Sequence, residues 1–413
     1  MSAAVLCIGT ELTRGEIVNT NASWLAETLT DAGLEVAAIE AIPDERQQIV
    51  DTLHRLSSQH LVIVCTGGLG PTTDDITSEC VAEVLGVPLD RDDPSLEAIR
   101  TRMEKFGRVM AESNKKQADF PRGATILPNR KGTAPGFAVQ LGHARAFFMP
   151  GVPREMKTMF GELVAPALAP FVREAMNQVR LKTFGMTESG VNDKLAGIEA
   201  EHSVTLAYRA HFPEIEVKVL ARGEDARERA RRAADAVIAR LGPDVVYGEG
   251  DVTFAEQLGK LLVEKKLTLA VAESCTGGGV GRLLTERSGA SDFFVGGVIS
   301  YANSAKQGLL GVPAELLAAH GAVSATVARA MAEGALRALG SELALALTGV
   351  AGPTGGTADK PVGLVHFAVA SKTGTSDRQM VFPGSRTQVR DLAAFAGLSL
   401  VRKVVLHGHD EDA

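Results

Sequence analysis

The sequence predicts an α/β protein made of two layered α/β units flanking a small α+β segment. Three observations carry this. Short apolar runs alternate with amphipathic stretches at both ends of the chain. Those runs are continuously apolar, as in mostly parallel sheets covered by helices on both faces. Between 172 and 250 the texture changes to paired strands and one strongly charged helix. At 413 residues the chain suits two or three domains of ~150 residues each. Its 45% hydrophobic and 23% charged residues are ordinary for a globular protein, which excludes disorder and collagen-like repeats. A net charge of -7 supplies no global basic field, so no direct nucleic-acid or membrane binding is expected and any phosphate must be held locally. No apolar run approaches the ~20 residues that span a bilayer. Cys7, Cys65, Cys80 and Cys275 show no C-x-x-C spacing and no leader is evident, so a reducing cytoplasm is the expected compartment.

The elements follow in order. Ala3 to Ile8 reads as a strand, followed by the loop Gly9-Thr10-Glu11-Leu12 and by a helix carrying Trp24, Leu25 and Leu29 behind a cap at Asn21. A strand near Glu35 to Ile42, a helix near Glu45 to Ser58 and the strand Leu61 to Cys65 complete a βαβαβ pattern. Ligands are then expected beyond the carboxyl ends of the strands. The middle segment reads as a strand near Val179 to Phe184, a helix near Glu188 to Ile198, two strands within Val204 to Ala221, and a helix from Asp225 to Leu241. That helix has an apolar face of Ala226, Ala230, Ala233, Val237 and Leu241, and its arginines form a solvated face. The last unit begins with a helix at Phe254 and has strands at Leu267 to Ala272, Phe293 to Ile299, Leu343 to Leu347, Val362 to Ala370 and Arg378 to Phe382. A helix from Gln388 to Val405 closes it. Its adjacent late strands imply a mixed sheet, and His407 to Asp412 reads as a frayed tail.

Loops, most of them following strands, carry the chemistry. Thr66-Gly67-Gly68-Leu69-Gly70-Pro71-Thr72-Thr73-Asp74-Asp75 leads from a strand into a helix, with glycines that let backbone approach an anion and hydroxyls that add donors. It is neither a P-loop nor a dinucleotide fingerprint. Carboxylates beside a phosphate loop imply a bridging divalent cation, with Asp74, Asp75 and Glu11 as ligands; the alternative is that Asp74 or Asp75 caps the helix. Gly132-Thr133-Ala134-Pro135-Gly136 and Pro150-Gly151-Val152-Pro153, with Glu11 and Asn21, complete one nucleotide-sized pocket. In the last unit, Glu273-Ser274-Cys275-Thr276-Gly277-Gly278 presents Ser274 as a nucleophile at a helix start whose N–H groups hold an oxyanion. Tyr301 and Lys306, after the next strand, are the groups that activate it. Cys275 reads as a packed thiol. Thr348-Gly349-Val350-Ala351-Gly352-Pro353-Thr354-Gly355 offers a second phosphate cradle, and Arg386 and Arg390 suit forked bonds to phosphate.

These motifs resemble the CinA family, competence and damage-inducible proteins, along essentially the whole chain. The resemblance implies three parts: a MoaB/MogA-like three-layer domain at 1–171, a KH-type α+β linker at 172–250, and an α/β nicotinamide-nucleotide amidohydrolase domain at 251–413. It implies hydrolysis of ADP-ribose at the first, with a divalent metal such as Mg, Mn or Co, and conversion of NMN to nicotinate mononucleotide and ammonia at the last, without a cofactor. It further implies Ser274 as catalytic, Tyr301 as its close partner, and Thr348 and Arg386 as substrate or phosphate contacts. A homodimer is expected by the same analogy. The middle segment has no G-x-x-G clamp between its helices, so RNA binding is not expected there. A molybdopterin adenylyltransferase and a non-catalytic adaptor in DNA uptake or repair are the competing readings.

Overall fold

The structure is a computed structural model that describes residues 2–172 and 176–409. It divides into two compact units, Met1–Asn177 with Arg222–Ala226, and Gln178–Ala221 with Arg227–Ala413.

In the first unit the strands are β1 (Ser2–Ile8), β2 (Glu35–Ile42), β3 (Val62–Thr66), β4 (Leu89–Arg91), β5 (Asp119–Pro121), β6 (Thr125–Leu127), β7 (Gly136–Leu141) and β8 (Ala144–Met149). Six form one sheet in the order β2-β1-β3-β8-β7-β6. The first four run parallel and the last two antiparallel, so the sheet is mixed at one edge. Side chains alternate across it. Leu6, Ile63 and Phe148 pack toward one helical layer, while Val5, Val64 and Phe147 pack toward the other. Along β1, β3 and β8 both faces are therefore dry, as their largely apolar sequences require, whereas the edge strand β2 leaves alternate residues exposed. Phe137 and Phe148 stack with ring centroids 4.8 Å apart. The helix cap falls on Asn19, not Asn21: Asn19 Oδ1 accepts from the Ala22 N–H at 3.0 Å, and Asn21 is the second residue of the helix Thr20–Asp31.

The second unit holds two sheets. β9 (Met176–Thr183), β10 (Thr205–His211), β11 (Glu214–Arg222) and β12 (Val246–Glu249) take the order β10-β11-β9-β12. The helix Ala226–Leu241 buries all five of the apolar residues assigned to its face. The helix expected near 188–198 is broken into Glu188–Lys194 and Ile198–His202, because Gly197 sits between them in the left-handed region. β13 (Leu269–Glu273), β14 (Phe294–Ile299), β15 (Leu343–Gly349), β16 (Leu364–Ser371) and β17 (Thr375–Val381) form the last sheet, ordered β14-β13-β15-β16-β17. β14, β13 and β15 are parallel and the final two antiparallel, the mixed sheet expected.

The closing helix Arg386–His407 is longer than expected at both ends, starting at a capping box in which the Ser385 N–H donates to Gln388 Oε1 at 2.9 Å. The described part of the tail is not frayed. His407 meets Asp244 at 2.9 Å, and the His409 ring lies 2.7 and 2.8 Å from the Ser371 and Ser376 hydroxyls. Residues 410–412 lie outside the described residues. All four cysteines are free and buried.

Candidate functional sites

The first site is a cleft of about 430 Å³ at the carboxyl ends of β1, β3 and β8. Its shape depends on two glycines. Gly67 has φ +108°, and a Cβ there would drive into the Ile8 carbonyl oxygen; Gly68, at φ +66°, would collide with the Thr77 hydroxyl. Glycine alone lets these strand ends close on one another. The Gly67 N–H donates to the Met149 carbonyl at 3.0 Å, whereas those of Gly68, Leu69 and Gly70 find no partner among the described residues. Thr66 Oγ1 donates to the Pro150 carbonyl at 2.9 Å, and Asn21 Nδ2 to the Gly151 carbonyl at 2.7 Å.

Glu11, Asn21, Thr66, Gly67, Gly68, Gly70, Asp74, Asp75, Thr133 and Gly151 all line this one cleft. Thr72 does not. Its N–H and hydroxyl both donate to Asp75 Oδ2, at 2.9 and 2.5 Å. Neither aspartate caps the helix Thr77–Leu85, whose first residue follows Ile76 without a side-chain cap.

Sequence reasoning missed two carboxylates in the cleft. Asp44 accepts from the Thr10 N–H at 2.8 Å and from its hydroxyl at 3.0 Å. Glu155 accepts from Asn129 Nδ2 at 2.7 Å, and Asn129 in turn folds the 129–134 loop through the N–H groups of Lys131 and Gly132. Position just beyond β2 was the available signal for Asp44; nothing local marks Glu155.

Among the described residues the cleft lining thus carries five carboxylates and no Lys or Arg. Among the described residues no three His, Cys, Asp or Glu side chains converge as a metal-holding group, so Asp74, Asp75 and Glu11 do not make a preformed cage. Asp75 is turned onto Thr72, and Glu11 folds back against Gly9. Hard oxygen donors around an anion cradle do fit a cation that takes its remaining ligands from a bound phosphate, the usual manner for Mg²⁺.

The second site lies where β13 and β15 end. Period-2 alternation sends Glu273 and Ser274 to opposite faces of the sheet. Glu273, 1% exposed, turns to the helix Gly279–Thr285 and accepts from the N–H groups of Gly278, Val280 and Gly281 at 2.9, 3.1 and 2.9 Å. The expected oxyanion donors are therefore occupied: the first N–H groups of that helix belong to Glu273. In the Glu273→Ala variant three donors, that of Val280 buried and those of Gly278 and Gly281 part-buried, lose their acceptor. A cost of about 2–3 kcal/mol is expected, read as a lower unfolding temperature, with Glu273→Gln losing less.

Ser274 is buried, and its Oγ lies 3.1 Å from Nζ of Lys306, which is 1% exposed in the first turn of the helix Asn303–Leu310. Lys306 also donates to the carbonyls of Ser300 at 2.7 Å and Tyr301 at 3.2 Å. Burial pushes its amine below the usual lysine range. Two N–H bonds to carbonyls leave the lone pair of the neutral amine for the serine O–H.

Tyr301 is placed otherwise than expected. Its side chain is 64% exposed and its phenol is 3.4 Å from Arg386 Nη2, so only its carbonyl reaches Lys306. Cys275 is the packed thiol expected, pushed up to about 11 by burial. Thr276 is fully buried, with no partner for its hydroxyl among the described residues. Thr348 donates its hydroxyl to the Ala322 carbonyl at 2.7 Å and so offers a ligand only an acceptor. Arg386 donates to the Gly352 carbonyl at 2.7 Å, and Arg390 to the Thr276 carbonyl at 2.8 Å beside Gly277. Both arginines brace the loops around Ser274. Gly349 ends β15, and Gly355 has φ +87° in the loop beyond it.

The fold and these sites define a three-part α/β protein whose outer parts each close their parallel strands on a glycine-lined site. Residues 4–170 match the probable molybdopterin binding domain, 178–248 the damage-inducible protein CinA KH domain, and 251–405 the CinA C-terminal domain. The CinA-like protein of Anaeromyxobacter dehalogenans (strain 2CP-C) is 44% identical over 405 residues, covering 97% of this chain and 99% of that protein. That of Geobacter sulfurreducens is 41% identical over 412 residues, covering 98% and 100%. Among solved structures, the competence/damage inducible protein CihA from Agrobacterium tumefaciens is 37% identical, covers 37% of this chain and 96% of its own, and has a TM-score of 0.35. The chain belongs to the CinA family. Among the described residues, no helix is long and apolar enough to cross a membrane.

Proposed function

We propose that this protein is a bifunctional pyridine-nucleotide recycling enzyme. The carboxyl-terminal domain hydrolyses the amide of NMN to nicotinate mononucleotide and ammonia, and the single observation that carries this reading is the buried Ser274–Lys306 pair. Neutral Lys306 takes the Ser274 proton as Oγ attacks the carboxamide carbon. The same proton then passes to the departing nitrogen, which leaves as ammonia, and a water hydrolyses the acyl-serine ester. Developing charge on the carbonyl oxygen falls to the Cys275 and Thr276 end of the turn, since Glu273 holds the helix N–H groups. Arg386 and Arg390 orient the 5′-phosphate from the rim. Ser274→Ala protein that releases ammonia from NMN at the wild-type rate would overturn this reading.

The amino-terminal domain hydrolyses ADP-ribose to AMP and ribose 5-phosphate. The N–H groups of Gly68, Leu69 and Gly70 hold the pyrophosphate, while Asp75, with Asp74 or Glu11, holds a divalent ion such as Mg, Mn or Co. Bound there, the ion would supply the charge neutralisation that a lining with five carboxylates and, among the described residues, no Lys or Arg cannot. Chelator is expected to abolish AMP release, and Asp75→Asn to lower it by roughly 10²-fold or more; full activity in the presence of chelator would contradict the assignment. We place the protein as a cytoplasmic homodimer acting on small nucleotides, not on nucleic acid or membranes.

A further inference from the structure

A cavity of about 420 Å³ lies within the second unit, among the outer face of the last sheet, the middle of the helix Arg386–His407 and the loop following β9. Phe184 and Met186 close it from the loop, and Phe367, Met380 and Phe382 from the sheet. Its volume is that of a small-molecule site.

One charged group in the wall stands out. Arg378, half-buried on β17, lies in register with Phe367, whose side chain packs toward the closing helix. Alternation along the strand puts Met380 on that same face. Among the described residues the Arg378 guanidinium makes no hydrogen bond or ion pair. Asp244, the one acid in the lining among the described residues, is engaged by His407 at 2.9 Å and by Lys403 at 4.0 Å. A partly desolvated guanidinium with no carboxylate is incomplete, and a planar carboxylate satisfies it with two parallel hydrogen bonds. Aromatic and thioether walls favour a flat apolar body behind that carboxylate.

We propose that this cavity is a binding site for a small aromatic carboxylate, its carboxylate on Arg378 and its ring against Phe184 and Phe382. No residue of the Ser274–Lys306 pair lines it, so the proposal stands apart from the amidase reading.

The test uses the full chain and two probes of one shape, 1-naphthoate and neutral 1-naphthalenemethanol, titrated calorimetrically. Naphthoate is expected to bind about tenfold more tightly, the value of one charge-assisted pair. Arg378→Gln removes that preference and leaves the alcohol's affinity unchanged, Arg378→Lys restores part of it, and Ser399→Trp, which fills the cavity, removes both. Equal affinities in the wild type, no binding of either probe, or a preference that persists in Arg378→Gln overturns the proposal. So does a Ser399→Trp protein with the wild-type unfolding temperature that binds as before.

Discussion

Lys306→Met is expected to lower ammonia release from NMN by roughly 10³-fold while leaving Ser274 in place. The serine hydroxyl is a poor nucleophile at neutral pH, and among the described residues the base within hydrogen-bond reach is the amine 3.1 Å away. Because burial lowers the pKa of that amine, its working, unprotonated form accumulates below the ordinary lysine value of 10.5. Activity should therefore rise with pH through the lowered pKa and level off before 10.5, and Lys306→Met should flatten that limb. Steady-state rates across pH for both proteins check it, and a variant that keeps the wild-type profile would remove Lys306 from the mechanism. Tyr301→Phe is the contrasting case: with its phenol 3.4 Å from Arg386, its loss should raise KM more than it lowers kcat.

Gly67→Ala is expected to have the largest effect in the first unit. The positive φ and the closeness of the Ile8 carbonyl act together, so the added methyl has to push the ends of β1 and β3 apart. A loss of about 3 kcal/mol or more is expected, combining overpacking with backbone strain. Calorimetry of the full chain should show a lower unfolding temperature for this unit together with loss of AMP release from ADP-ribose. Gly123→Ala, at a positive φ with open space around it, is the control that pays only the conformational term.

Much of this arrangement was legible in the sequence because both sites sit where buried strands run into glycine-rich turns. The apolar runs placed the strands, and the rule that ligands gather beyond strand ends brought Glu11, Thr66, Asp75 and Gly151 together from loops far apart in the chain. Ser274 and Lys306 were legible for the same reason, one at a strand end and the other on the helix after the neighbouring strand. What the sequence did not disclose was orientation. Glu273 and Ser274 are adjacent, yet pleating gives one to a helix start and the other to a lysine. Tyr301 lies five residues before Lys306, yet its ring faces solvent with the phenol 3.4 Å from Arg386. Thr72 carries the right chemistry in the right loop and spends it on Asp75. Glu155 enters the first cleft through Asn129, a contact spanning 26 residues that no local pattern encodes.

Every native sulfhydryl in this chain is shielded by packed side chains. Maleimide and iodoacetamide reagents will therefore pass over the folded protein, and a single cysteine installed at an exposed position such as Thr357 can carry a fluorophore without first stripping the others. The turn beyond β15 can then be followed by fluorescence in the unaltered background as nucleotide is added.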